Sequence, residues 1–242
     1  MGIHEFPFST VIPKDCPPTF KGSNGENKYE VEVLTDVPWR FTSKARMEFT
    51  VNKKLVLPEK YWTDEVTKIR NIKSGYIFNE GPISVKMTLP KVVFQIGDSL
   101  RLRLDINNTS SSEISRFSIH FFRLTHYHSR HLSVPCKSPM NCPMCPSSRK
   151  ETRQRFGKIS DFDFHVASHS EGSKVIDLGI PMEATTPSFE SGLMTMRYYI
   201  CSYVWVKNGL PIWCGTNKIY IGEKKEKIKK PSKGDAPPDY TP

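Results

Sequence analysis

The sequence predicts an all-β protein, with short strands folded into a β-sandwich architecture and a disordered C-terminal tail. Three observations carry that prediction. Apolar and polar residues alternate along most of the chain, the period of strands with one dry face and one wet face. Turn formers break the alternation every ten residues or so, with 19 Pro and 14 Gly in 242 residues and a mean hydropathy of -0.46. No long amphipathic helical stretch competes with the strands.

The elements follow in order. KYEVEVLTD places Tyr29, Val31 and Val33 on one strand face and Glu30 and Glu32 on the other, and RMEFTV repeats this with Met47, Phe49 and Val51. From Pro58 to Gly81 the pattern lapses, and that stretch reads as a connection holding at most one short strand. ISVKMTLPK then turns Ile83, Val85, Met87 and Leu89 inward. SLRLRLDINNTS turns Leu100, Leu102, Leu104 and Ile106 inward, leaving Arg101, Arg103 and Asp105 outside. RFSIHFFRL continues with Phe117, Ile119 and Phe121 inward. Two aromatic and β-branched runs flank Asn208-Gly209, which predicts a hairpin with a two-residue turn. After Gly222 the apolar content almost vanishes, so residues 223–242 are expected to be a disordered tail.

A net charge of +10 favours anionic partners such as phospholipid head groups, phosphorylated segments or nucleic acid, or serves solubility alone. MGIHEFPF lacks the basic and apolar regions of a signal peptide, and no run is long and apolar enough to span a membrane, so a cytoplasmic protein is expected. Six irregularly spaced cysteines then read as reduced thiols, and the sequons at Asn107 and Asn108 as a turn.

Several pieces, taken in order, resemble the arrestin fold family. Phe6-Pro7-Phe8, Pro18-Thr19-Phe20-Lys21-Gly22, Tyr29-Glu30-Val31 and Pro38-Trp39 are similar to the closing part of an arrestin N-terminal domain. GPISVKMTLPKVVFQIGDSLRLRLDINNTSS resembles the start of the arrestin C-terminal domain, and IPMEATTPSF with the final hairpin resembles its end. The likeness covers most of residues 3 to 222 and is closest to the α-arrestins. It implies two immunoglobulin-like, arrestin-type β-sandwich units, the first incomplete in this sequence, which starts near the F-P-F segment: either the sequence is a fragment or truncated gene product, or the N-terminal sheet itself is incomplete. The expected organisation is residues 1–60 as a partial N-terminal domain, 61–81 as a connection, 82–222 as the C-terminal domain and 223–242 as the tail. An incomplete first sheet leaves open edges on strands 28–35 and 45–52.

The tail ends in GDAPPDYTP. Polyproline II has three residues per turn, so Pro237 and Tyr240 rise on one side while Pro238 keeps the backbone extended. That side suits the aromatic groove of a WW domain. By coil statistics a tail of about twenty residues reaches about 25 Å from the domain. In α-arrestins, which the folded part resembles, P-P-x-Y motifs recruit WW-containing HECT-type ubiquitin ligases. The resemblance therefore implies a non-enzymatic adaptor that links a membrane cargo protein to such a ligase, with recruitment to the plasma membrane or endosomes. Lys224, Lys225, Lys227, Lys229, Lys230 and Lys233 are either a solvated spacer or a weak anchor to anionic phospholipid. Arg101 and Arg103, on the basic outward face, are the candidate cargo contacts.

THYHSRHLSVPCKSPMNCPMC gathers thiols and imidazoles, the ligands zinc prefers. A site would use Cys136, Cys142 and Cys145 with His131, or His128, as fourth ligand; the alternative is reduced thiols in an inserted loop, with no cofactor. Cys142-Pro143-Met144-Cys145 has the spacing of a redox dithiol but no βαβ unit around it. No nucleophile elbow, Walker loop or dinucleotide fingerprint occurs, so an enzyme is disfavoured. The alternative function is a basic β-sandwich module binding nucleic acid or anionic lipid. A nucleic-acid module needs aromatics on an open sheet face beside Lys or Arg. Alternation buries Phe117, Ile119 and Phe121 instead, so no nucleic acid is expected.

Overall fold

The computed structural model describes residues 5–36, 39, 41–73, 81–129, 149–207 and 209–223. Their elements are β1 Phe20–Lys21, β2 Glu26–Asn27, β3 Tyr29–Thr35, β4 Ser43–Phe49, a single helical turn α1 Lys60–Thr63, and β5 Val66–Lys73. The chain continues with β6 Pro82–Leu89, β7 Val93–Phe94, β8 Ser99–Asn108, β9 Ile114–His128 and β10 Arg149–Val166. It ends with β11 Ser170–Gly179, β12 Phe189–Glu190, β13 Met194–Val206 and β14 Pro211–Ile221.

Two sheets face each other to make the sandwich. One runs β11-β8-β6-β5, and the other β10-β9-β13-β14-β7 with β12 beside β13. Among the described residues only the β14 to β7 pairing is parallel; Tyr220 opposes Val93 and Ile221 opposes Phe94. Period two does the sorting: Leu100, Leu102 and Leu104 of β8 are fully buried, while Arg101 and Arg103 between them are exposed. Ile83, Val85, Met87 and Leu89 of β6 lie in the same core as Phe117, Ile119 and Phe121 of β9 and Tyr198, Ile200 and Val204 of β13. Each such side chain contributes about 1.5–3 kcal/mol of burial.

The stretch read as a connection with at most one short strand holds one strand of eight residues after a single helical turn. Val66 to Lys73 pairs antiparallel with Leu89 to Pro82, making β5 an edge strand of the four-stranded sheet. Its VTKIRNIK sequence is almost all exposed, so no buried face imprinted an alternation on it. The terminal hairpin differs from expectation. Trp205 opposes Pro211, and the Gly209 N–H donates to the Val206 carbonyl at 3.0 Å, so the connection is longer than two residues. Further along the pair, Ser202 opposes Gly215 and Tyr203 opposes Trp213. Cys214 is therefore the extra residue of a bulge, which Gly215 accommodates at φ +125.

Among the described residues the first unit holds two two-stranded sheets, β1 with β2 and β3 with β4, the second with Val31 opposite Met47 and Tyr29 opposite Phe49. The apolar side of that second sheet is open: Val33 is 50% exposed and Met47 63%. The Pro18 to Gly22 turn, by contrast, docks on the sandwich. Phe20 is buried, its ring 5.6 Å from Phe189, with the Arg123 guanidinium 5.3 Å from its centroid. A side chain at Gly22 would put its Cβ 2.1 Å from the Tyr127 hydroxyl, so this close approach requires glycine.

Candidate partner-binding surfaces

Pro237, Pro238 and Tyr240 lie outside the described residues, as do Cys136, Cys142, Cys145 and His131. His126 and His128, neighbours of that cysteine cluster, are buried in β9 with ring centroids 4.4 Å apart. Among the described residues no group of three or more His, Cys, Asp or Glu is placed to hold a metal ion. Arg101 and Arg103 belong to a charge-balanced surface. The Arg101 Nε is 3.1 Å from Asp177, the Arg103 Nε is 3.1 Å from Asp105, and Ser173 donates to the same Asp105 carboxylate at 2.7 Å. Exposed pairs of this kind add little stability, but they leave that face without a concentrated field.

The outer face of the six-stranded sheet is different. With Phe117, Ile119 and Phe121 inside, the alternate residues Arg116, Ser118, His120 and Phe122 of β9 face away from the core. They meet the outward set Tyr199, Cys201, Tyr203 and Trp205 of β13 and Trp213 of β14, register neighbours in the ladder. Phe122 stacks on Tyr199 at 5.2 Å and His120 on Tyr203 at 5.7 Å. The Arg116 guanidinium lies 4.1 Å from the Trp205 ring centroid and that of Arg153 5.3 Å from Phe122. Trp205 Nε1 donates to the Ser118 hydroxyl at 2.5 Å, which in turn donates to Asp161. Burial first, and Arg155 second, lower the His120 pKa, which favours the neutral imidazole. A groove of about 540 Å³ opens here, lined by His120, Arg153, Arg155, Tyr203 and Trp213 among others.

A second cleft, of about 440 Å³, lies where the N-terminal segment meets the sandwich, with Lys14, Lys53, Lys54, Glu190 and Arg197 on its walls. Two of its cations are paired, Arg197 with Glu190 at 2.6 Å and Lys54 with Glu223 at 3.5 Å. Lys218 Nζ lies 3.8 Å from the same Glu190 carboxylate and is pushed down to about 8 by burial and then by Arg197. The Cys214 thiol is pushed up to about 12 by burial, which makes it a core residue and a poor nucleophile.

Comparison with known proteins agrees with the sandwich. Residues 1–57 match the family model "Arrestin (or S-antigen), N-terminal domain", and residues 79–223, more than half of the chain, match "Arrestin (or S-antigen), C-terminal domain". The chain belongs to the arrestin family. Arrestin domain-containing protein 17 of Caenorhabditis elegans is 40% identical over 50 residues, covering 21% of this chain and 12% of that one. Arrestin domain-containing protein A of Dictyostelium discoideum is 25% identical over 120 residues, covering 49% of this chain and 21% of that one. The chain thus spans a minor part of each of these relatives. Arrestins are in general non-enzymatic adaptors or scaffolds. No helix of the described residues is long and apolar enough to cross a membrane.

The charge-balanced outer face of β8 and β11 and the aromatic, arginine-rich outer face of β9, β13 and β14 were not distinguished by sequence reasoning. One signal was present. Phe121-Phe122 and Tyr198-Tyr199 put aromatics on both parities of their strands, the pattern of strands packed on both sides.

Proposed function

We propose that this arrestin-family chain is an adaptor whose tail captures a WW-domain ubiquitin ligase while its β units hold a membrane cargo protein. One observation carries the reading: Pro237-Pro238-Asp239-Tyr240 follows, after a lysine-rich spacer, the last strand of an arrestin C-terminal domain. A polyproline II ligand loses little conformational entropy on binding, so a motif of four residues can serve as a separate docking point. The ligase would then ubiquitinate the cargo and direct its endocytosis, with the tail lysines adding weak attraction to anionic lipid of about 1 kcal/mol each near the surface. Zinc at Cys136, Cys142, Cys145 and His131 remains a separate proposal, which metal analysis of the purified protein tests. Capture by isolated WW domains tests the adaptor itself. The native chain is expected to be retained and Tyr240→Ala to be lost; equal retention of both would contradict the mechanism.

A further inference from the structure

We propose that the aromatic groove on the outer face of β9, β13 and β14 binds the chain's own Asp235 to Tyr240 segment, so that the P-P-x-Y motif is masked in cis. The masking rests on the WW-ligand reading above; the docking does not.

The groove has the chemistry a polyproline II segment needs. Tyr203 and Trp213 oppose each other across β13 and β14 and project from the same face, and Trp213 is 52% exposed. Opposed Cβ atoms in such a ladder are about 5 Å apart, so the two rings stand side by side on one sheet face and give a proline ring an aromatic surface to pack on. Arg153 and Arg155 line the groove beside them, and no acidic residue does among the described residues. The segment GDAPPDYTP carries Asp235 and Asp239 and no basic residue, the reverse of the lysine run before it. With Pro237 and Tyr240 against the rings, Asp239 points to another side of the polyproline helix, where an arginine can meet it.

Reach and tether favour this occupant. Trp213 is ten residues before Glu223, about 34 Å along a strand. Residues 224–236 can extend over about 43 Å, enough to double back to the groove. Tethering raises the effective concentration to the millimolar range, so a weak contact suffices. A single-stranded nucleic acid fits less well. It needs a row of free ring faces, yet Phe122 is 4% exposed and His120 8%, both already stacked on tyrosines.

NMR of the indole N–H groups in the full chain tests the docking. The Trp213 cross-peak, assigned by its loss in Trp213→Ser, is expected to shift when Pro237, Pro238 and Tyr240 are all replaced by Ala, and to shift likewise in an Arg153→Glu, Arg155→Glu double variant. No shift in the triple variant overturns the proposal. So does a Trp213 peak that responds to an added single-stranded oligonucleotide but not to the tail, which makes the groove a nucleic-acid surface. For masking, WW-domain affinity is expected to rise about fivefold or more in Trp213→Ser and in the double arginine variant, with circular dichroism unchanged. Equal affinities would overturn masking. If the Trp213 peak shifts but a free GDAPPDYTP peptide binds no WW domain, docking stands and the adaptor reading fails.

Discussion

Lys218 shows how one buried side chain ties stability to pH. Burial and Arg197 hold it at about 8, against 10.5 for a lysine in the unfolded chain. Between those values the unfolded chain binds a proton that the folded chain has released, so this group makes stability rise with pH over that window. Cys214, ordinarily at 9.0, and Tyr198 and Tyr220, ordinarily at 10.0, are each raised to about 12, chiefly by burial, and act in the opposite sense above those ordinary values, so their windows overlap the upper part of the lysine's. Comparing variants isolates the lysine: the gap in Tm between Lys218→Met and the native chain is expected to fall as pH goes from about 8 to about 10.5. A constant gap would show that Lys218 titrates normally. Gly222 is constrained by shape. At φ +150, an added Cβ would stand 2.9 Å from Leu55 Cγ and 3.0 Å from Pro187 Cβ. Gly222→Ala is expected to cost about 1–3 kcal/mol, read as a lower urea midpoint.

At the scale of elements, the exposed faces and edges decide behaviour. The β3 and β4 pair presents Val33 and Met47 half or more in solvent, beside edges with no further strand among the described residues. Val33→Lys with Met47→Lys is expected to reduce self-association in light scattering while leaving Tm nearly unchanged. A large drop in Tm would mean that these side chains pack more tightly than their exposure implies. The same contrast explains what the sequence could reveal. Strands β6, β8 and β9 were legible because one face is fully buried, so Leu100, Leu102 and Leu104 had to alternate with polar residues. Strand β5 was legible only as a strand the connection could hold, without a position, since pairing at an edge places demands on the backbone and few on side chains. The groove over Tyr203 and Trp213 was hidden for another reason. Register between strands distant in sequence creates it, and alternation within one strand does not encode which strand lies beside it.

At the scale of the molecule, the two outer faces surround their arginines differently. The outer face of the four-stranded sheet neutralises its arginines with Asp105 and Asp177, whereas the opposite outer face sets Arg116, Arg153 and Arg155 among aromatic rings. The sandwich is thus a scaffold with two unlike sides and a proline-bearing segment after its last strand. The adaptor role proposed above needs this division, because it has cargo and ligase held by separate parts of the chain. The most direct measurement is a calorimetric titration of an isolated WW domain into the full native chain and into Tyr240→Ala. The account predicts saturable binding at one site per native chain and at least tenfold weaker binding to the variant. Indistinguishable isotherms, or none for either chain and for the free GDAPPDYTP peptide, would contradict it.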